Sequence, residues 1–330
     1  MLKSAMARAR GRGELELIER VRRASAWRPM GQVRVGIGDD CAVVRPRANE
    51  EIVVTTDFCL EGRHFRRDWH TAESAGHRCL ARGLSDLAAM GARPVAAFLS
   101  LALPAGTDKK WVAGFFRGLR ALADAAEVPL AGGDTAGAPG KEVLADIVLL
   151  GATPHGKALL RSGARAGDLL YVTGRLGGAA AELELLRSVA GTARRAGKPG
   201  EHPQMFPEPR LGVGRALLRR ALATACLDVS DGLSTDLQHL CDASGVGAEV
   251  ELGKLPVHEL ARGPVELALH GGEDYELLFS ARPGTRVPGR IAGVEVTRVG
   301  RFVAGRGMVL VDADGGRRRL KAGGWEHGIG

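Results

Sequence analysis

Six short acidic motifs run through the chain: GIGDD (Asp39, Asp40), TTD (Asp57), LSD (Asp86), AGGD (Asp134), DVSD (Asp228, Asp231) and GGED (Glu273, Asp274). Most follow an apolar run or sit beside Gly, Ser or Thr, the context of a strand end or a tight turn. Each motif alone reads as a turn residue or a helix N-cap. Together, in a chain of net charge +8, they describe a built anionic pocket. Its natural occupant is a hard divalent cation, which takes carboxylate oxygens and commonly carries a nucleotide's phosphates. Neighbouring Gly lets backbone N–H groups approach phosphate, and Ser and Thr add hard oxygen ligands. The chemistry implied is magnesium-dependent phosphoryl transfer.

The elements that must position these acids are those of two domains, because 330 residues exceed what one hydrophobic core usually serves. Aromatics are only 4%, so the core is expected to be Ala, Leu and Val. After a basic tail over residues 1–13, residues 14–24 carry Leu15, Ile18 and Val21 at helical spacing. Residues 33–38, 41–45 and 52–56 read as strands, the last ending on Asp57. Residues 71–90 read as a helix with a capped start at Thr71 and a stop at Gly91. A strand over 94–103, a helix over 108–126, a short strand 128–131 delivering GGD and a strand 142–152 complete a first domain, 14–152.

The second domain, 153–330, reads as strands at 168–173, 225–229, 248–252, 275–280, 294–299 and 308–311, with helices at 177–189, from Pro209 to about 224, and at 232–243. Strands and helices mix without strict βαβ alternation, so the fold class expected is α+β. Residues 191–207, rich in Gly, Pro and charge, read as a mobile surface loop or an insertion.

Several functions are disfavoured. The basic runs Arg8–Arg12, Arg194–Lys198 and Arg317–Lys321 lack interleaved aromatics, so no nucleic-acid partner is expected. Five cysteines without a CxxC pair fit neither a disulfide framework nor a zinc site, and read as small buried apolar residues in a reducing cytoplasm. The N-terminal stretch lacks the apolar segment of a signal peptide, and no run of about 18 apolar residues calls for a membrane. There is no Walker-type GxxxxGK[ST] and no GxSxG elbow; YVTGRLGG (Tyr171–Gly178) lacks the full dinucleotide fingerprint and reads as a packing turn.

The motifs GIGDDCAVV, TTDFCLEGRHF, LSDLAAMGARP, AGGDT, LLRSGARAGDLLYVTG, LDVSDGLSTDL and GGEDYELLF occur in the order found in the thiamine-monophosphate kinase family, and the chain resembles that family over roughly residues 14–327. The family belongs to the aminoimidazole ribonucleotide synthetase superfamily. The resemblance implies an N-terminal domain that pairs in a homodimer and a C-terminal α+β domain. It implies transfer from ATP to thiamine monophosphate with several magnesium ions. By the same resemblance Asp40, Asp57, Asp86, Asp134 and Asp228 are metal ligands, Thr55 and Thr56 add oxygens, and Asp231 is a further metal or catalytic carboxylate beside Asp57. Gly133 and Asp134 would meet ATP, with Arg161 and Ser230 near its phosphates; His64, Glu273 and Trp325 would contact thiamine phosphate. The alternatives are another synthetase of the superfamily, or a non-catalytic nucleotide-binding regulator. The latter requires lost carboxylates, and all those expected are present.

Overall fold

The computed structural model describes residues 17, 19–23, 31–37, 41–188, 201–263 and 265–325. The tail, Asp39 and Asp40, and residues 14–16, 18 and 24 of the first expected helix lie outside these residues; residues 19–23 are helical. The chain divides into two compact units, one within Met1–Gly83 and Pro94–Ala152, the other within Leu84–Arg93 and Thr153–Gly330.

In the first unit, β1 (Val33–Val35) pairs antiparallel with β2 (Val43–Val44). A four-stranded sheet has the order β3 (Glu50–Leu60), β6 (Leu144–Pro154), β4 (Arg93–Leu103), β5 (Leu130–Gly137). The helix α1 (Ala72–Ala89) starts where Thr71 Oγ1 accepts the Ser74 N–H at 3.1 Å, as its sequence predicts. The helix α2 (Lys109–Ala125) is capped by Asp108, whose side chain accepts from the Lys110 N–H at 2.8 Å, and buries Val112, Phe115, Phe116 and Leu119. Two glycines allow α1 and α2 to approach at backbone distance. A Cβ on Gly118 would lie 1.8 Å from the Glu73 carbonyl oxygen, and one on Gly76 1.8 Å from that of Phe115.

Two expectations are corrected here. The strand carrying TTD does not end at Asp57 but continues to Leu60. GGD does not follow a short strand; it lies inside β5, parallel to β4, with Leu99 opposite Gly133 and Ser100 opposite Asp134. Both carboxylates therefore stand on strands rather than in turns.

The second unit is built on an eight-stranded sheet. Its path is β14 (Arg317–Leu320), β13 (Met308–Val311), β9 (Gly247–Glu251), β12 (Val294–Val303), β7 (Leu169–Thr173), β10 (Glu276–Ala281), β8 (Ala225–Val229), with β11 (Arg290–Ile291) paired to β12. The helices are α3 (Gly178–Ser188), α4 (Leu211–Arg219), α5 (Leu233–Ser244) and α6 (Val265–His270). Leu227, Val229, Leu233, Leu237, Leu240, Leu278 and Phe302 form its core. The turn after α1 packs in this unit, and a Cβ on Gly214 of α4 would fall 1.9 Å from the Ala88 carbonyl.

The expected surface loop 191–207 is also corrected, in the part described. Gln204, Met205 and Phe206 are buried. The Gln204 N–H donates to Glu182 Oε2 at 2.8 Å, and His202 Nδ1 lies 2.6 Å from Glu182 Oε1. Arg210 then clasps the buried Glu276 through Nε and Nη2 at 2.8 and 2.6 Å. Residues 201–210 are thus a strap with a fixed course.

Gly118→Ala is expected to destabilise the first unit by about 1–3 kcal/mol, the cost of forcing extra volume into a packed contact. Urea denaturation of the variant against the parent measures it.

Candidate active site

In the first unit a cleft of about 570 Å³ is lined by Gly36, Ile37, Cys41 and Ala42, by Phe98, Leu99 and Phe116, and by Leu130–Thr135. Apolar walls with a few polar groups are what a nucleotide base and its phosphates require. Gly133 has φ +148°, and a Cβ there would lie 1.9 Å from the Leu99 carbonyl oxygen, so only glycine fits. Asp134 is exposed, and its carboxylate accepts the Thr135 N–H at 2.9 Å. Thr135 Oγ1 is buried without a hydrogen-bond partner, an unused oxygen beside an exposed carboxylate.

Asp57 stands on β3 at 23% side-chain exposure, and Arg82 Nη2 donates to its Oδ1 at 2.9 Å. Strand alternation puts Thr55 on the face of Asp57 and Thr56 on the opposite face. There the Thr56 hydroxyl donates to Asp146 at 2.8 Å. His64 is buried rather than in solvent, and its Nδ1 accepts the Leu60 N–H at 2.9 Å, which assigns the ring proton to Nε2.

In the second unit the DVSD turn gathers several expected residues. Asp228 is 5% exposed at the end of β8 and accepts from the Ser85 hydroxyl at 2.6 Å, with Asp86 the next residue on α1. The Ser230 carbonyl accepts from the Glu273 N–H at 2.7 Å, and that of Asp231 from the Trp325 N–H at 2.9 Å. The Gly324 N–H binds Thr235 Oγ1 at 3.0 Å, which fixes the approach of Trp325, whose side chain is half-exposed. Ser230, Asp231, Glu273 and Trp325 are therefore neighbours. Arg161 is exposed, and its carbonyl accepts from Ser244 Oγ at 3.0 Å; nothing ties its side chain to this group.

Sequence reasoning missed the residues that hold the motifs. Asp236 accepts the N–H groups of Asp231 and Gly232 at 3.0 and 3.1 Å. Burial, with the neighbouring Asp228 and Asp231 carboxylates, pushes Asp236 up to about 8. An Asp five residues after Asp231, early in a helix, was the available signal. Arg82 and Gln204 carried none, and Ser85, although inside the LSD motif, gave no sign of its bond to Asp228. Asp274 does not face this group; it accepts the N–H groups of Gly177 and Ala179 at 2.6 and 3.2 Å and caps α3. YVTGRLGG is a packing turn as expected, since a Cβ on Gly177 would meet the backbone of Leu267 at 2.8 Å.

Among the described residues no three His, Cys, Asp or Glu side chains form a self-sufficient metal cluster. The donors present are nevertheless hard oxygens, as magnesium prefers, and magnesium normally completes its shell with water and substrate phosphate.

The two units are those of a known class. The family of AIR synthase related protein, N-terminal domain, matches residues 38–155, and its C-terminal domain matches 165–322; the chain belongs to this family. Thiamine-monophosphate kinase of Escherichia coli (strain K12) is 37% identical over 308 residues, 89% of this chain and 92% of that protein. That of Bacillus subtilis (strain 168) is 36% identical over 253 residues, 74% of this chain and 77% of that one. Within its class the chain belongs with the thiamine-monophosphate kinases. The crystal structure of the enzyme from Stenotrophomonas maltophilia K279a is similar at TM-score 0.79 and 38% identity, covering 91% of this chain and 96% of that one. AaThiL complexed with AMPPCP and TMP is similar at TM-score 0.74 and 29% identity, covering 86% and 89%. No described helix is long and apolar enough to cross a membrane.

Cys41 is the one exposed cysteine and lines the cleft, whereas Cys59, Cys79, Cys226 and Cys241 are buried. Burial pushes the thiol of Cys241 up to about 12 and raises that of Cys226, and a hydrogen bond with Cys59, together with burial, raises that of Cys79. One thiol is expected to react rapidly with a disulfide reagent in the native protein, and ATP should slow that reaction severalfold. Stopped-flow labelling with and without nucleotide measures both.

Proposed function

We propose that this chain is a thiamine-phosphate kinase that transfers the γ-phosphoryl group of ATP to the phosphate of thiamine monophosphate. The products are thiamine diphosphate and ADP, in the biosynthesis of thiamine diphosphate. The observation that carries this reading is the glycine-floored cleft of β5, with an exposed carboxylate and an orphaned hydroxyl at one end of an apolar wall.

The residues divide the work by chemistry. Gly133 offers backbone to the nucleotide, and Asp134 is exposed on the same strand to hold its cation. Asp57, Thr55 and Asp40 are further ligands of the first unit. The Thr56 hydroxyl, spent on Asp146, is not among the side-chain donors we assign. Asp86, Asp228 and Asp231 are the ligands of the second unit, with Ser230 and Arg161 toward the triphosphate. His64, as an Nε2–H donor, suits an anionic phosphate. Glu273 suits an amino group or a cation, and Trp325 offers a half-exposed ring for a cationic thiazolium. When bound, magnesium supplies charge neutralisation on the phosphate oxygens. The acceptor is an ionised phosphate, so positioning rather than a strong base is required of the protein.

The same reading includes a homodimer. β3 is an edge strand whose outward face presents Val54 and Phe58 at 64% and 62% exposure. Exposed apolar residues on an open edge call for cover, and a second copy of the first unit supplies it. A cytoplasmic location accords with five free cysteines.

Incubating the protein with ATP, magnesium and thiamine monophosphate should give thiamine diphosphate one-for-one with ADP, abolished by chelator. ADP with orthophosphate and no diphosphate would instead point to a related synthetase. Asp57→Asn should lower kcat by about a thousandfold or more, the scale of losing an electrostatic partner of the transition state, with circular dichroism unchanged. Phe58→Asp should convert the dimer to monomer in sedimentation velocity; an unaltered sedimentation coefficient in parent and variant would remove the β3 interface.

A further inference from the structure

The strap over residues 201–210 ends its buried course against the GGED turn. Gln204 is 2% exposed, and its Nε2 donates to Glu273 Oε2 at 2.9 Å. The backbone of Glu273 is already fixed by other means. It adopts φ +68°, rare for a residue with a side chain, and its N–H is bound by the Ser230 carbonyl. The carboxylate stands at the end of a side chain with three rotatable bonds. Gln204 acts at that point.

The amide is itself held from behind. The Gln204 N–H donates to Glu182 on α3, Glu182 is 4% exposed and faces His202, and Met205 is fully buried. These anchors are backbone or belong to other residues, so none depends on the Gln204 side chain. A buried glutamine on such a mount, with its amide turned to a half-buried carboxylate, is a rigid donor. A neutral donor also leaves the carboxylate its charge, which an arginine or lysine at the same place would cancel.

We propose that Gln204 is a positioning residue that sets substrate specificity by orienting Glu273 toward the aminopyrimidine of thiamine monophosphate. This rests on the reading of Glu273 as a thiamine-phosphate contact. A carboxylate repels the substrate's phosphate, so its complement is the ring end. The 4-amino group is a hydrogen-bond donor there, and the 4-oxo analogue lacks that donor.

The test is steady-state kinetics of Gln204→Met, which keeps length and loses the donor, beside Glu273→Gln and the double variant. Gln204→Met should raise KM for thiamine monophosphate roughly tenfold, the scale of a lost hydrogen bond to a charged group. KM for ATP, kcat and Tm should stay near the parent's. Preference for thiamine monophosphate over its 4-oxo analogue should fall, and the two substitutions should be non-additive. If Gln204→Met fails to fold, Gln204→Glu, of the same shape but repelling Glu273, should raise the same KM and leave KM for ATP near the parent's, at a lowered Tm.

Unchanged KM for thiamine monophosphate in Gln204→Met, with a raised one in Glu273→Gln, overturns the role of Gln204 and leaves that of Glu273. Unchanged KM in Glu273→Gln removes the underlying reading as well. Equal rises for both substrates with a lowered Tm reduce Gln204 to a packing residue and overturn the proposal.

Discussion

Like charge is the constraint around which the second unit's turn is arranged. Asp236 lies deep enough, and close enough to Asp228 and Asp231, that its carboxyl is pushed up to about 8. A cluster of that kind cannot be relieved by spreading into water. The fold relieves it with neutral donors: the Ser85 hydroxyl on Asp228, and two backbone N–H groups on Asp236. Neutral donors lower the cost of the charge without cancelling it, which suits the cation-binding role we propose for the turn. The first unit uses a different device at Asp57, where the Arg82 guanidinium stands in as counter-ion.

Support of this kind explains the course of the surrounding chain. The C-terminal segment meets the DVSD turn through the Trp325 N–H and the start of α5 through the Gly324 N–H on Thr235 Oγ1, and the GGED turn meets the DVSD turn through the Glu273 N–H. A Cβ on Gly324 would stand 2.0 Å from the Asp231 carbonyl, so the segment reaches the turn at backbone contact. Three stretches distant in sequence are thereby registered by main-chain bonds. Such bonds fix the backbone at Asp231, Glu273 and Trp325.

Much of this was legible in the residues. The strand Met308–Val311 is a continuous apolar run, Ala225–Val229 is one broken only by Asp228, and α1 has its cap and its glycine stop, so all three were read closely. Asp57 and Asp134 were recognised but misplaced, because Thr and Gly beside them resemble a turn while the ladder carries on through them. β14 was missed: Arg317–Leu320 reads as a solvated charge run, and its pairing with β13 is long-range information. Arg82 and Gln204 stand in no motif because each acts on a residue the fold brings to it, whereas Ser85 and Asp236 stand inside LSD and LDVSDGLSTDL but show their partners only in the fold. Asp39 and Asp40 lie outside the described residues, so the first motif rests on the sequence.

Housing Asp134 and Gly133 within β5, rather than on a loop, has a thermodynamic consequence. A strand residue gives up its backbone freedom when the sheet forms, at roughly 1–2 kcal/mol per residue. That entropy is lost once, during folding, and is not lost again when a ligand arrives. Association at this strand should therefore leave the local chain dynamics almost unaltered, with the ordering confined to the ligand and its water.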